Sequence, residues 1–182
     1  ENAEEAHDVV TGLAALGADS QIVEPAEERV ELRTVGLGIT PAAARFRRAA
    51  DAAEAVGHRE RDRAAGGVAR MVRALRTEYY DRATRLLAGD PAAMPVCHAG
   101  FLSTHIGAEG EVWSCCVLAR RLGDLREADL DFRRVWFSDE AEEFRRWMRG
   151  RRCACPLANA AYTNLLVEPA ALGRVAVELV RR

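Results

Sequence analysis

Five cysteines in the second half of the chain are the residues whose type and spacing suggest chemistry. They are Cys97, Cys115, Cys116, Cys153 and Cys155. Their number is odd and the sequence shows no secretory signal, so a disulfide framework is not expected. In a reducing compartment, clustered thiols more often bind a metal or carry out redox chemistry. The sequence therefore predicts a metal or redox centre in this half of the chain.

The spacing of the cysteines allows four of them to meet at one centre. If Cys115 and Cys116 lie on an extended strand, their side chains point to opposite faces, and only one of them reaches a shared metal. Cys153 and Cys155 are two residues apart and can face the same way. One cysteine of the adjacent pair, with Cys97, Cys153 and Cys155, gives the four thiolates that a structural zinc ion or a 4Fe–4S cluster takes.

Three interpretations of these thiols remain open from the spacing alone. An iron–sulfur cluster and a structural zinc ion both accept a Cys-x-Cys pair such as Cys153 and Cys155. The third interpretation is an interaction protein whose cysteines only pack, since a buried cysteine behaves as a small apolar side chain. Metal analysis of the protein separates all three.

The elements that must position the cysteines are short. Residues 101–106 and 111–117 flank the turn-rich stretch 107–110, which predicts a β-hairpin. Two short helices are expected over 127–137 and 139–149. The segment containing Cys153 and Cys155 is predicted to be a loop, because the residue before a proline avoids the helical conformation.

The first part of the chain has a different pattern, that of an α/β unit. Asn2 and Glu5 form a capping box for a helix that stops at Gly17. Residues 21–23 form a short apolar run typical of a buried strand, and a second helix is expected between Thr40 and Gly57. Helix, strand and helix in succession indicate part of a parallel α/β fold.

A polar helical region follows and separates the two patterns. Residues 58–88 have helical periodicity with an interruption at Gly66, and their apolar stripe, which includes Val68, Met71 and Tyr79, is expected to face a core. Prolines and small residues after Asp90 break the pattern, so a second, cysteine-bearing module is predicted to begin there.

Composition excludes two large classes of function. The chain carries 26 basic and 28 acidic residues, for a net charge of -2. A dedicated nucleic-acid binder would normally have a basic excess. No apolar run reaches the length of a membrane helix, and no targeting segment is visible. We therefore expect a cytoplasmic protein that binds neither nucleic acid nor membrane.

The cysteine-bearing half has a distinctive spacing of cysteines around a glycine. Twelve residues separate Cys97 from Gly110, and four more separate Gly110 from Cys115. This spacing fits the opening signature of the SPASM/Twitch domains of radical S-adenosylmethionine (SAM) enzymes, a family that this half of the chain resembles. The resemblance covers about residues 96–168, and residues 2–29 look like the end of the family's catalytic barrel. The matching stretches are Cys97-His98-Ala99-Gly100, Leu122-Gly123-Asp124-Leu125-Arg126-Glu127, Val135-Trp136-Phe137-Ser138, Cys153-Ala154-Cys155 and Tyr162-Thr163-Asn164.

The resemblance implies one auxiliary 4Fe–4S cluster beside a substrate site. Its ligands would be Cys97, Cys115, Cys153 and Cys155. A full SPASM domain has more cysteines and holds two clusters, so the chain is Twitch-like. Relatives can carry a cysteine where Asn159 stands, so Cys116 is retained as an alternative ligand.

The resemblance also implies a fold class and a domain organisation. The fold would be α/β: the terminal portion of a partial (β/α) radical SAM barrel, followed by a small α+β SPASM/Twitch domain with a β-hairpin. The barrel end would occupy residues 1–60, a helical connector 61–95, the cluster domain 96–168 and a C-terminal helix 169–182. The alternative is a zinc-stabilised structural module without redox activity.

The resemblance implies either a part of a radical SAM enzyme that would not be active alone, or a degenerate relative of such an enzyme. The CxxxCxxC motif that binds the catalytic cluster of such enzymes is absent from the sequence. S-adenosylmethionine and the catalytic 4Fe–4S cluster are therefore expected only in a full-length protein. The implied partners are a peptide or small-molecule substrate and an electron donor such as a flavodoxin or ferredoxin.

Overall fold

The chain forms helices and one small antiparallel sheet. A computed structural model describes residues 5–18, 21–61, 66–150 and 153–181. In chain order the helices are α1 (Ala6–Ala15), α2 (Ala43–Arg61), α3 (Gly67–Leu87), α4 (Phe132–Trp136), α5 (Asp139–Met148), α6 (Ala158–Leu165) and α7 (Pro169–Arg181). The strands are β1 (His105–Ile106), β2 (Glu111–Trp113) and β3 (Arg121–Asp124), and a 3-10 turn spans Pro91–Ala93.

The chain divides into two compact units. The first, which we call the helical unit, comprises the described residues of 1–26, 41–95 and 155–182. The second, the cysteine unit, comprises 27–40 and the described residues of 96–154. None of the described helices is long and apolar enough to cross a membrane.

The helical unit is built around α3, which packs against α2, α6 and α7. Tyr79 and Tyr80 are fully buried in its core, and the place of Tyr79 on the apolar stripe predicts its burial. The Tyr79 hydroxyl donates a hydrogen bond to the Pro156 carbonyl oxygen over 2.7 Å. The prediction that this stripe faces a core is wrong at the start of α3, because the side chains of Val68 and Met71 are exposed.

Two expectations for the first part of the chain are wrong, and one lies outside the described residues. Residues 21–23 form no strand; the Val23 backbone N–H instead donates to the Tyr80 hydroxyl over 3.0 Å. Helix α2 continues through Gly57 to Arg61, since a single glycine inside a helix costs only about 1 kcal/mol. The predicted cap at Asn2 lies outside the described residues.

The cysteine unit contains the predicted hairpin, in a shorter form. Strands β1 and β2 pair antiparallel, with His105 opposite Trp113, and β3 adds to the other side of β2. The return strand ends at Trp113, so the expectation that it runs to residue 117 is wrong. The chain turns after Ser114, whose N–H bonds to the Arg120 carbonyl on the opposite side. The Ala119 N–H donates to the Cys115 carbonyl over 2.9 Å and closes the turn before β3.

Helices α4 and α5 both pack against β3. The Ser138 side chain caps α5 by accepting from the Ala141 N–H, and α5 matches the predicted helix at 139–149. Helix α4 begins only at Phe132. The predicted start at 127 is wrong because Asp129 and Leu130 adopt positive φ angles of 55° and 61°, which no α-helix accommodates.

Gly100, in the turn after Cys97, provides a direct test of this packing. Its φ is +78°, and a Cβ there would lie 2.7 Å from a ring carbon of the buried Phe144. The left-handed backbone costs an alanine about 1–2 kcal/mol, and overpacking a core typically adds about 1–3 kcal/mol. We therefore expect Gly100→Ala to lower the free energy of unfolding of the cysteine unit by about 2–5 kcal/mol, measured by native-state hydrogen exchange.

The matched control is Gly173→Ala in α7, where a Cβ would have nothing within 4 Å. Removing a glycine from a helix interior should raise stability by about 0.5–1 kcal/mol. Equal protection of the cysteine unit in Gly100→Ala and the wild type would show that the turn is not packed as the structure describes.

Candidate metal centre

Three of the predicted cysteine ligands contact the same small apolar core in the cysteine unit. Cys97 is a buried member of this core, and Cys115 and Cys153 pack against it with partly exposed side chains. The buried apolar residues of this core are Cys97, Ala99, Val112, Leu122, Ala128, Val135, Ala141, Phe144 and Met148. None of the five cysteines, all within the described ranges, is in a disulfide.

Cys97 is positioned by the turn that follows it and by a buried arginine. The backbone of Gly100 donates to the Ser103 carbonyl over 2.7 Å, which folds the chain back toward β1. Arg145 in α5 is 8% exposed, and its Nε donates to the Gly100 carbonyl oxygen over 2.7 Å. The same guanidinium bonds to the Trp136 carbonyl and lies over the Trp136 ring at 4.8 Å. Arg145 thus ties the turn after Cys97 to α4 and α5.

Cys115 begins the turn between β2 and β3. Its carbonyl accepts from the Ala119 N–H over 2.9 Å, and its Sγ accepts from the Leu118 N–H over 3.3 Å. Ser114, immediately before it, is fully buried, and its hydroxyl has no hydrogen-bond partner among the described residues. A buried hydroxyl without a partner is costly, so this position is one where a bound group would be expected to supply an acceptor.

Cys153 and Cys155 belong to different units. Cys153 packs on the core of the cysteine unit, whereas Cys155 is part of the helical unit and is partly exposed there. The residue after Cys155 is Pro156, whose carbonyl is held by the Tyr79 hydroxyl. The loop conformation of this segment is as predicted. The role of all four cysteines as ligands stays a prediction.

Cys116 has surroundings unlike those of Cys115. Its Sγ lies within 4.8 Å of ligand atoms of Glu31 and His105, and these three form a potential metal-binding group in the part of the chain that the structure describes. Burial raises the pKa of the Cys116 thiol; the positive charge of Arg29 lowers it, and the negative charge of Glu31 raises it further. The side chains of the two adjacent cysteines therefore have different surroundings, although the two residues lie in a turn and not on a strand.

Sequence reasoning missed Glu31 and His105 as members of such a group. Glu31 lies in the segment 27–40, far from the cysteines in sequence, and His105 carries no motif. Only the folded chain brings the three residues together, so neither periodicity nor spacing contains a signal for them.

The residues around Cys97, Cys115 and Cys153 fit an iron–sulfur cluster in three respects. Thiolates are the usual ligands of such clusters. The Leu118 N–H already points at the Cys115 sulfur, and hydrogen bonds of this kind tune cluster potentials. The Ser114 hydroxyl, next to Cys115 in the chain, has a donor to spare. The cysteine unit thus supplies thiolates and hydrogen-bond donors that an iron–sulfur cluster could use.

Comparison with protein families shows which kind of iron–sulfur domain this region resembles. Residues 97–156, about a third of the chain, match the SPASM family, described as an iron–sulfur cluster-binding domain. The matched range contains all five cysteines and confirms the resemblance of this region to SPASM domains. No curated protein matches the chain, and no solved structure matches it either.

Proposed function

We propose that the chain is the C-terminal, auxiliary-cluster part of a radical SAM enzyme. In this proposal Cys97, Cys115, Cys153 and Cys155 bind one auxiliary 4Fe–4S cluster next to the substrate site. The observation that carries the proposal is the placement of three of these thiols on one core within the range that matches a SPASM domain.

The cluster supplies a one-electron redox centre when it is bound. The surrounding residues determine how stable and how accessible it is. Val112 and Phe144, both fully buried, keep water from the inner side of the cysteines. Arg145 fixes the turn after Cys97, and the Leu118 N–H stabilises negative charge on the Cys115 sulfur.

The catalytic step belongs to other parts of the proposed enzyme. The described residues of the helical unit contain helices and no strand. The proposal that residues 1–60 are the end of a radical SAM barrel therefore rests on the resemblance of residues 2–29 to that part of the family. S-adenosylmethionine and the catalytic cluster would bind elsewhere in a full-length protein, since the sequence lacks the CxxxCxxC motif. A cytoplasmic flavodoxin or ferredoxin would supply electrons, and the substrate would be a peptide or a small molecule.

Metal content distinguishes this proposal from a zinc-stabilised module. The chain should be produced with both iron and zinc in the medium, purified without oxygen, and reconstituted with iron and sulfide. We expect about four irons and four sulfides per chain, with a broad charge-transfer absorption that bleaches on reduction. One zinc ion on four sulfur ligands, with no uptake of iron, would contradict the proposal and favour the zinc module.

A further inference from the structure

A second metal-ligating group lies in the cysteine unit, apart from the predicted cluster ligands. Glu31, His105 and Cys116 each offer one ligand atom, and these atoms lie within 4.8 Å of one another. The His105 Nε2 is 3.6 Å from a carboxylate oxygen of Glu31. That distance is too long for a hydrogen bond. It is close to the separation of about 3.3 Å between two ligands at 2.0–2.1 Å from a tetrahedral ion.

The fold holds Glu31 in this place by backbone hydrogen bonds. The Val30 N–H donates to the Val117 carbonyl over 3.4 Å, which joins the segment 27–40 to the turn that contains Cys116. A second bond, from the Thr34 N–H to the Arg29 carbonyl, closes the loop around Glu31. Glu31 is therefore presented by a folded loop and not by an irregular, unsupported segment.

The same loop is closed a second time at its far end. The Glu28 carboxylate accepts hydrogen bonds from the backbone N–H groups of Gly36 and Gly38, over 2.7 and 2.8 Å. These bonds hold the pKa of the Glu28 carboxyl below its usual value. Two sets of bonds thus fix the loop on either side of Glu31.

The imidazole of His105 is fixed by the sheet. His105 pairs with Trp113 across the hairpin, and the two rings stack with centroids 5.4 Å apart and planes 18° apart. The Thr104 hydroxyl bonds to the Trp113 carbonyl and braces the same pair. A histidine held in one orientation loses less freedom when it binds an ion, which favours binding.

We propose that Glu31, His105 and Cys116 bind one divalent metal ion, with zinc the best fit, at a site separate from the predicted cluster. A thiolate, an imidazole and a carboxylate are the three ligand types that zinc takes, and three protein ligands leave a fourth position for water. The ion would fasten the loop around Glu31 to the sheet and to the turn after β2.

The charges around the site suit a divalent cation. Glu27 and Arg29 lie close enough to act on Cys116, and they pair with each other at 3.2 Å, so their charges cancel. Once the Cys116 thiol gives up its proton to the bound ion, Glu31 and Cys116 contribute two negative charges, which a divalent ion neutralises. The ion and its two negative ligands together carry no net charge, so little free energy is lost in placing them in this half-buried site.

The experiment is a zinc titration of the full chain after its iron content has been measured. Bound zinc is counted after desalting, and X-ray absorption at the zinc edge gives the ligands. We expect one zinc per chain with one sulfur at about 2.3 Å and nitrogen or oxygen ligands at about 2.0–2.1 Å. Glu31→Gln, His105→Asn and Cys116→Ser should each weaken binding by more than about 100-fold, since even an outer-shell partner is worth 10–100-fold.

The control is Glu109→Gln, which makes the same charge change on the exposed turn between β1 and β2 and should leave zinc binding unchanged. Three results of the zinc measurements would overturn the proposal: no stoichiometric zinc, a shell of four sulfurs, or wild-type affinity in all three ligand variants. Loss of iron in Cys116→Ser would also overturn it, because Cys116 would then be a cluster ligand. The sulfur count keeps this test independent of whether the chain assembles a cluster.

Discussion

Replacing Cys97, Cys115, Cys153 or Cys155 with alanine should reduce the iron bound by the reconstituted chain from about four per chain to less than about one. Each change removes one thiolate and leaves a corner of the cluster exposed to water and chelators. Three of these side chains lie on the core of the cysteine unit, so an alanine there also leaves a small gap. Iron and acid-labile sulfide, measured without oxygen, quantify the loss.

The matched control for this prediction is Cys116→Ala, one residue from Cys115. Cys116 lies with Glu31 and His105, so its removal should leave the iron content and the absorption spectrum nearly unchanged. If Cys116→Ala empties the site while Cys115→Ala does not, the assignment of the two neighbours is reversed. The Cys155→Ala result is the most informative of the four, because that thiol belongs to the other unit.

Removing the iron should loosen the cysteine unit far more than the helical unit. The cysteine unit has a sheet of three short strands and two short helices, and metal ligation to such a domain contributes directly to its folding. We expect amide protection in residues 96–150 to fall by at least about 100-fold after chelation, as measured by hydrogen exchange. A loss of that size corresponds to about 2.7 kcal/mol.

Helix α3 is the internal reference for this measurement. It carries the fully buried Tyr79 and Tyr80 and contains none of the predicted ligands. Its protection should change less than about tenfold, since helices of this kind owe their stability to packing. Equal protection of 96–150 with and without iron would contradict a folding role for the cluster.

Local signals were sufficient to predict the hairpin and the second short helix. Glycines at 107 and 110 mark the turn between β1 and β2. The second helix was expected over 139–149, and the structure adds a Ser138 cap and three acidic residues in the first turn of α5. Strand β3 was not predicted. It contains Gly123 and two charged residues, and it is a strand only because β2 lies beside it, which is information that no local window contains.

The candidate site was predictable by residue type and less so by geometry. The count and spacing of cysteines indicated metal binding, and the family comparison supports iron–sulfur binding for residues 97–156. The contrast between Cys115 and Cys116 was expected from strand alternation, but the structure produces it with a turn that begins after Trp113. The approach of Glu31 to His105 depends on a long-range backbone bond from Val30 and had no sequence signal.

Mössbauer spectroscopy of the full chain, reconstituted with 57Fe without oxygen, tests the central claim most directly. It reports the type of iron centre and the fraction of iron within it. The account predicts that most of the iron is in one 4Fe–4S cluster per chain, diamagnetic when oxidised and paramagnetic after reduction by one electron. Iron present only as unbound or mononuclear ions, in a chain whose thiols hold zinc instead, would contradict it.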